Sequence, residues 1–423
     1  MLHPIRRLVF FIYFLSQVFL SPIAKANSAK AYKEKSKISI GTWRGEINRS
    51  DGHPIVFNFQ TKEVAGGIVI YVINGTERLF VDNIRLQGDS LFIDMPFFDS
   101  HFLLRVVNEN ILEGDWVKIS GPRISRVPFR AICNQKYRFP NPRPPVFNVS
   151  GRWSTHFRGE DDSTEAIGEF RQSGNELSGT FLTTTGDYRF LEGVVDGDTL
   201  RLSTFDGGHA YSFVSKIQDT GRMQGFYYSG ATAVETWAAE KNAAAKLPDE
   251  FSITELKDSS VTHLRFSFPD LNGKTVSLSD PVFKNKVVIL QILGSWCPNC
   301  MDETRFLSPW YIQNKSRGVE IVGLAYERTA SFTDIKRLLQ PFVTRFHVTY
   351  PILATEVLTS DPLRTEKTLP EIREIVGFPT TIFVDKKGAV RKIHTGFNGP
   401  GTGVHYEMYK KEFNELINSL LAE

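Results

Sequence analysis

Cysteine is nearly absent from this chain: there are three in 423 residues, Cys133, Cys297 and Cys300. Three cysteines cannot build a disulfide framework. The histidines show no paired Cys/His spacing of the kind a structural zinc site needs, so no metal site is expected. Charge of one sign is lacking too. The formal net charge is +3, and Arg6, Arg7 and Lys25 account for it, leaving 47 basic residues against 47 acidic ones after residue 26. That balance offers no general attraction for nucleic acid or anionic lipid, and neither is expected as a partner. The apolar run Leu8–Leu20, broken only by Ser16 and Gln17, is shorter than the roughly 20 residues of a spanning helix. With the basic start at Arg6-Arg7 and the small-x-small site Ala24-Lys25-Ala26, it predicts a secretory signal over 1–26, cleaved before Asn27. An uncleaved leader that anchors the chain to the membrane is the alternative. Export leads to an oxidising compartment, where a lone cysteine pair is more often a tool than a staple.

What the chain does have is β-type sequence, in two copies. After a Lys-rich stretch (Asn27–Lys37), short alternating runs fill Ser39 to Ile132, with turn signals at Asp51-Gly52, Gly66-Gly67, Asn74-Gly75 and Gly88-Asp89. The Pro-rich segment Tyr137–Val146 suits a stiff linker. A second module then repeats the first. Gly41-Thr42-Trp43 recurs as Gly151-Arg152-Trp153, Gly75-x-x-Arg78 as Gly186-x-x-Arg189, and Gly88-Asp89-Ser90-Leu91 as Gly197-Asp198-Thr199-Leu200. Phe98-Asp99 with His101 recurs as Phe205-Asp206 with His209, at offsets that stay between 107 and 111. The modules are expected over 38–136 and 147–242, each as an eight-stranded antiparallel barrel or sandwich. Such a barrel either holds one small ligand or is filled by its own side chains. His101 and His209 read as turn or strand-start residues beside Asp99 and Asp206 rather than as metal ligands. Cys133 reads as a plain apolar residue.

The third part, 255–423, alternates strand and helix. Strands fit Val287–Leu293, Val319–Ala325, Val348–Leu353, Thr380–Asp385 and Ala389–His394; helices fit Cys297–Lys315, Phe332–Phe346 and Val404–Leu421. This is an α/β layer order. Its centre is Gly294-Ser295-Trp296-Cys297-Pro298-Asn299-Cys300. A Cys-x-x-Cys pair at a strand-to-helix junction is a redox signature. The helix start offers unpaired N–H groups and a positive dipole end, both of which favour a thiolate on the first cysteine. The second cysteine, one turn later, is placed to attack a mixed disulfide. A structural disulfide and half of a zinc site are the other readings of the pair. Asn398-Gly399-Pro400-Gly401-Thr402-Gly403 lacks the following Lys of a phosphate cradle and reads as a loop.

Trp296-Cys297-Pro298-Asn299-Cys300, with Gly377-Phe378-Pro379-Thr380 downstream, resembles a thioredoxin-fold domain. Ser267 to Lys274 and Phe383 to Gly388 extend the match. It is closest to the TlpA/ResA-like branch of exported bacterial thiol–disulfide oxidoreductases, within the superfamily that includes the peroxiredoxins. The resemblance covers about residues 260–423 and not the β modules, whose Gly-x-Trp openings resemble only those of lipocalin-type barrels. It implies a periplasmic enzyme acting on protein thiols and disulfides without a cofactor, reset by an external thiol donor, soluble or membrane-bound. It implies Cys297 as attacking thiolate, Cys300 as resolving thiol and a cis Pro379. Trp296, Phe378 and Pro379 would then face the substrate, an extended segment adding along the Phe378–Pro379 edge. Glu303 matches an acid that several ResA-like proteins hold beside the pair, where it would take the proton from Cys300; an exposed first-turn Glu is the other reading. Gln291 stands where thioredoxin has a buried Asp, and Arg305 where many relatives have Pro. A thiol peroxidase is an alternative, although Gln291 and Gly294 replace the Pro and Thr of a peroxidatic motif. An envelope protein whose β modules bind a ligand or partner is another.

Overall fold

Alternating burial builds the N-terminal half. The structure, a computed structural model, describes residues 38–160, 162–258 and 260–423; the leader expected over 1–26 lies outside the described residues. The first sheet comprises β1 (Gly41–Ile47), β2 (Ile55–Val64), β3 (Gly67–Asn74), β4 (Glu77–Val81), β5 (Ile84–Gln87), β6 (Ser90–Asp94), β7 (Ser100–Asn108), β8 (Ile111–Ser120) and β9 (Arg123–Cys133). In β1, Trp43, Gly45 and Ile47 point inward while Arg44 and Glu46 do not, the two-residue period of a half-buried strand. The order is β4-β3-β2-β1-β9-β8-β7-β6-β5, and no ladder joins β4 to β5 among the described residues.

The second sheet comprises β10 (Gly151–Arg158), β11 (Ser163–Ser173), β12 (Glu176–Thr183), β13 (Gly186–Asp187), β14 (Leu191–Asp196), β15 (Thr199–Phe205), β16 (Ala210–Ile217), β17 (Arg222–Ser229) and β18 (Ala233–Lys241). Here β10 pairs with both β11 and β18, and β12 with both β11 and β14, so eight antiparallel strands close into a barrel. β13 is a two-residue excursion from β12. Each sheet thus holds one strand beyond the eight expected: β4 in the first and β13 in the second. The chain breaks between β4 and β5 at Asp82-Asn83, without a glycine or proline to announce it.

The duplication is visible in the geometry. Trp43 lies opposite Cys133 across β1–β9, and Trp153 opposite Lys241 across β10–β18. Each indole N–H donates to the carbonyl four residues earlier, Ser39 at 3.3 Å and Val149 at 2.8 Å. Both lumens are packed. Phe157, Phe181, Phe213, Tyr227 and Trp237 fill the second. In the first, Phe57, Phe59, Phe102 and Phe129 border a void of about 20 Å³, room for about one water.

The barrels are joined by a turn from the second that enters the first. Phe205 stacks on Phe57 at 4.2 Å and sets its ring edge-on to Trp116 at 5.6 Å. Asn74 exchanges hydrogen bonds with the Phe205 backbone at 2.8 and 3.2 Å. Ser100 Oγ and Trp116 Nε1 donate to the Gly207 carbonyl at 2.7 and 2.9 Å. The Pro-rich segment, expected as a stiff linker, is pinned between the barrels. Its buried Arg138 donates to the Ile73 and Ser203 carbonyls at 2.6 and 3.0 Å, and pairs with Glu192 at 2.9 Å.

The C-terminal sheet runs β23-β22-β21-β24-β25, after a short hairpin of β19 (Ser267–Pro269) and β20 (Thr275–Ser277). β21 (Val287–Leu293), β22 (Val319–Ala325) and β23 (Ile352–Ala354) are mutually parallel. β24 (Thr380–Val384) runs antiparallel to them, and β25 (Val390–Thr395) returns beside it as the second arm of a hairpin. Helices α1 (Pro298–Asn314), α2 (Phe332–Phe346), α3 (Arg364–Thr368) and α4 (Val404–Ala422) complete the domain. All seven residues of β21 are buried, as in a strand covered on both faces. Val287, Ile289 and Leu293 join the cluster under α1, α2 and α4, while Val288, Leu290 and Ile292 join Phe266, Leu369 and Ile372 on the other side. That alternation puts Gln291 under α1, which decides its role below. α2 docks on the first barrel: Phe346 stacks on Phe97 at 4.9 Å, and Arg345 pairs with Asp82 at 3.2 Å.

Candidate active site

The end of β21 turns through Gly294-Ser295-Trp296 into α1, and Cys297 is the N-cap of that helix. Its Sγ accepts the Cys300 N–H at 3.2 Å and lies 3.5 Å from the Phe378 carbonyl oxygen. The Phe378–Pro379 bond is cis. Both thiols are free. Cys297 is 4% exposed and Cys300 fully buried. Burial pushes the Cys300 thiol well up, and the adjacent Cys297 and Glu303 push it further the same way. An N-cap that accepts from N3 normally satisfies one orphan helix donor with an oxygen; here a sulfur does so.

Glu303 is one turn beyond Cys300 and fully buried, which excludes the reading of it as an exposed first-turn acid. It accepts from Gln291 Nε2 at 2.8 Å and from the Thr381 hydroxyl. Gln291 in turn accepts from the Tyr350 hydroxyl at 3.0 Å and donates to Thr304 at 2.9 Å. Burial raises the Glu303 carboxyl to about 7, against the opposing pull of those donors. The substitution at 291 thus leaves the ionisable group on the helix and a neutral amide on the strand to orient it.

Trp296 is held by its indole N–H to the Tyr326 carbonyl at 2.9 Å, and its ring meets Phe378 edge-on at 5.3 Å. Arg328 lies over its face, 5.0 Å from the centroid. Glu327 is buried and accepts both the N–H and the hydroxyl of Ser295, at 2.7 and 2.9 Å. Burial pushes its carboxyl up to about 7. Glu327 and Arg328 follow β22 and carry no motif in the sequence, so nothing there marks them as neighbours of the pair.

The larger surprise is what covers the site. The β12–β14 connection of the second barrel, Thr184–Arg189, lies across it. Gly186, at φ +143°, packs so tightly that a Cβ there would fall 1.9 Å from Asn299 Nδ2. Thr185 closes on Gly377, whose own added Cβ would meet it at 2.4 Å. Arg189 is buried and bridges Asp302 of α1 and Glu77 of the first barrel. Asp187 accepts the Gly399 N–H at 2.7 Å, so the Gly-rich loop is held by this segment as well. The edge expected to take an extended substrate is engaged within the chain: the Pro379 carbonyl accepts the Gly396 N–H at 2.8 Å, and Gly396 also touches Thr185. The repeat had singled out Gly186 and Arg189 only as duplicates of Gly75 and Arg78. Asp99 and His209 line the mouth of a neighbouring cleft. Asp99 pairs with Arg337 at 3.1 Å and His209 with Asp206 at 3.2 Å. No cluster of three or more His, Cys, Asp or Glu suited to a metal occurs among the described residues.

A parallel-then-antiparallel five-stranded sheet with two thiols at the first turn of its central helix defines a thioredoxin-fold dithiol domain. Comparison with known proteins agrees. The profile of the Redoxin family matches residues 256–407. Thiol-disulfide oxidoreductase ResA of Bacillus subtilis (strain 168) is 30% identical over 131 residues, 31% of this chain and 64% of that protein, so the chain spans a little under two thirds of its length. ResA of Bacillus thuringiensis subsp. konkukian is 30% identical over 147 residues, 35% of this chain and 73% of that protein. Among solved structures, a putative thiol:disulfide interchange protein DsbE from Chlorobium tepidum is 20% identical with a TM-score of 0.29, covering 37% of this chain and 95% of that one. The chain belongs, through its C-terminal domain, to the ResA-like thiol–disulfide oxidoreductases of the redoxin family. The two barrels lie outside the matched region.

Proposed function

We propose that the protein is an exported thiol–disulfide oxidoreductase, working on protein disulfides through Cys297 and Cys300. One observation carries this reading: the Cys297 sulfur caps α1, accepts the Cys300 amide and faces the Phe378–Pro379 loop. In the forward direction the Cys297 thiolate attacks a substrate disulfide and forms a mixed disulfide. Cys300 then attacks Cys297, releases the reduced substrate and leaves the pair oxidised. An external thiol donor resets it. Export rests on the leader features of residues 1–26. Among the described residues no helix is long and apolar enough to cross a membrane. The units 38–136, 147–242 and 255–423 work as one body in this reading, because side chains from all three meet behind the cysteines.

The test is chemical. The reduced chain, equilibrated with reduced and oxidised glutathione at a series of ratios and quenched by alkylation, should lose two alkylatable thiols, at Cys297 and Cys300, while Cys133 stays modified throughout. A pair that remains reduced across the whole series removes the reading.

Glu303 is assigned the proton of Cys300. A buried thiol attacks poorly as the neutral species, and a carboxyl near 7 is matched to take its proton at neutral pH. Glu303→Gln is expected to slow closure of the Cys297–Cys300 disulfide on the order of 10²-fold at pH 7, and to erase the inflection near pH 7 from the closure rate. A stability readout separates this from misfolding. The folded state holds a proton on Glu303 that the unfolded chain gives up above about 4.3. Its contribution therefore falls as pH rises from there to about 7, and is flat beyond. Glu303→Gln should gain stability relative to the parent between pH 5 and pH 8. A closure rate unchanged at pH 7 would remove the assignment.

A further inference from the structure

In this conformation the Thr184–Arg189 segment covers Asn299, Gly377 and Gly396, and leaves Cys297 almost no exposure. A cleft of about 380 Å³ opens beside it, at Ser295 and Trp296, the two residues that precede Cys297. Its walls come from all three modules: Phe98 and Lys118 from the first barrel, His209 from the second, Trp296 and Arg328 from the redox domain. That volume is of small-molecule size.

Two of the cations that line the cleft have no ion pair among the described residues. Lys118 has no side-chain hydrogen bond or ion pair among the described residues. Arg328 stacks on Trp296 and donates to Ser120 Oγ, and it too lacks a carboxylate partner there. Burial, and then the Arg328 charge, hold Lys118 below the ordinary amine range, against the pull of Asp206. The acids nearby are committed elsewhere. Asp206 holds His209, Glu327 is bonded to Ser295, and Asp99 and Asp334 sit on Arg337. Two half-buried cations side by side, unpaired and next to an aromatic ring, make a site that lacks its anion.

We propose that this cleft binds the thiol donor of the cycle, a low-molecular-weight thiol that carries carboxylates, with Lys118 and Arg328 holding the carboxylates and Trp296 the stem. This rests on the oxidoreductase reading and names its reductant. The donor thiolate attacks Cys297 Sγ of the oxidised pair. The Cys297–Cys300 bond breaks, a Cys297–donor disulfide forms, and Cys300 leaves as thiolate and takes up a proton. A second donor thiolate attacks the donor sulfur, frees Cys297 and departs as the donor disulfide. Two electrons pass from two thiols to the pair.

The test uses the full chain with its pair oxidised. Reduced glutathione, which carries two carboxylates, and cysteamine, which carries an amine, are each supplied as donor. The rates of pair reduction are read by alkylation and mass, and normalised to the rates of the same thiols with hydroxyethyl disulfide, an uncharged acyclic disulfide. Glutathione is expected to be favoured on the order of 10-fold, and the preference should shrink with added salt. Lys118→Gln with Arg328→Gln should abolish it. Arg328→Lys, which keeps the charge, should retain most of it and shows that the loss is not a folding defect. Equal normalised rates for the two thiols, or a preference that survives the double substitution, would overturn the proposal. If oxidised glutathione still oxidises the reduced pair in that event, the donor assignment alone has failed; if nothing cycles it, the oxidoreductase reading has failed with it.

Discussion

Cys300→Ser is expected to leave the chain covalently joined to its substrate. Cys297 keeps everything it needs to attack: its place at the head of α1, the amide of residue 300 at 3.2 Å, and the Phe378 carbonyl opposite. What is lost is the sulfur that would release the partner. The mixed disulfide on Cys297 should therefore accumulate to one equivalent, visible as a mass increment that a reducing agent reverses. Cys297→Ser should show the complementary result. With the nucleophile gone, turnover falls by several orders of magnitude, and the remaining Cys300, fully buried and pushed well up by that burial, should alkylate slowly. If instead Cys300→Ser turns over normally, or the adduct forms on Cys300 in the Cys297 variant, the roles are reversed and the mechanism above is wrong.

The second large effect is expected from Arg189→Met. Arg189 joins three parts of the chain through two carboxylates, Glu77 and Asp302, whose side chains are 6% and 1% exposed. Removing the guanidinium leaves Glu77 buried without a cation, and leaves Asp302 only the more distant Arg305, at 3.4 Å. Breaking a buried pair from one side typically costs about 3–5 kcal/mol, and two acids share this one partner. The loss should appear as a marked drop in the urea midpoint. It should also appear at the cysteines. The segment that carries Arg189 is the one seated on Asn299 and Gly377, so alkylation of Cys297 in the native state should speed up well below the unfolding transition. The triple change Arg189→Met, Glu77→Gln, Asp302→Asn removes the orphaned charges and should recover much of the stability. It should not restore the slow alkylation, because the anchor is still missing. Slow alkylation in the single variant would mean that the covering segment is held by its packing alone.

The redox domain was largely legible from the sequence. β21, β22 and α2 occupy the residues expected of them, Val287–Leu293, Val319–Ala325 and Phe332–Phe346. Each is a continuous apolar or strongly periodic run with a clear break at both ends. β23 was expected from Val348 but begins at Ile352, since Pro351 has no N–H to give to a ladder. α3, five residues long, is too short to show a period. In the barrels the tandem repeat was plain, but whether each sheet closes was not. Closure depends on whether β12 can reach β14 and β4 cannot reach β5, a matter of register rather than composition. The covering segment was the least legible feature. Its contacts join positions far apart in the sequence through a glycine with no side chain and an arginine that reads as a surface residue. Glu303 was half legible: its spacing from Cys300 put both on one face of α1, but only the stacking of that face on Gln291 shows it to be dry.

The turn Phe205–His209 has a consequence for how the duplicated barrels can change. Its aromatic ring and its Gly207 carbonyl complete the interior of the neighbouring copy. Two duplicated units have become unequal, the first depending on the second for part of its interior. The second cannot be excised or swapped for its twin without opening a hole in the first, whereas the second fills its own lumen.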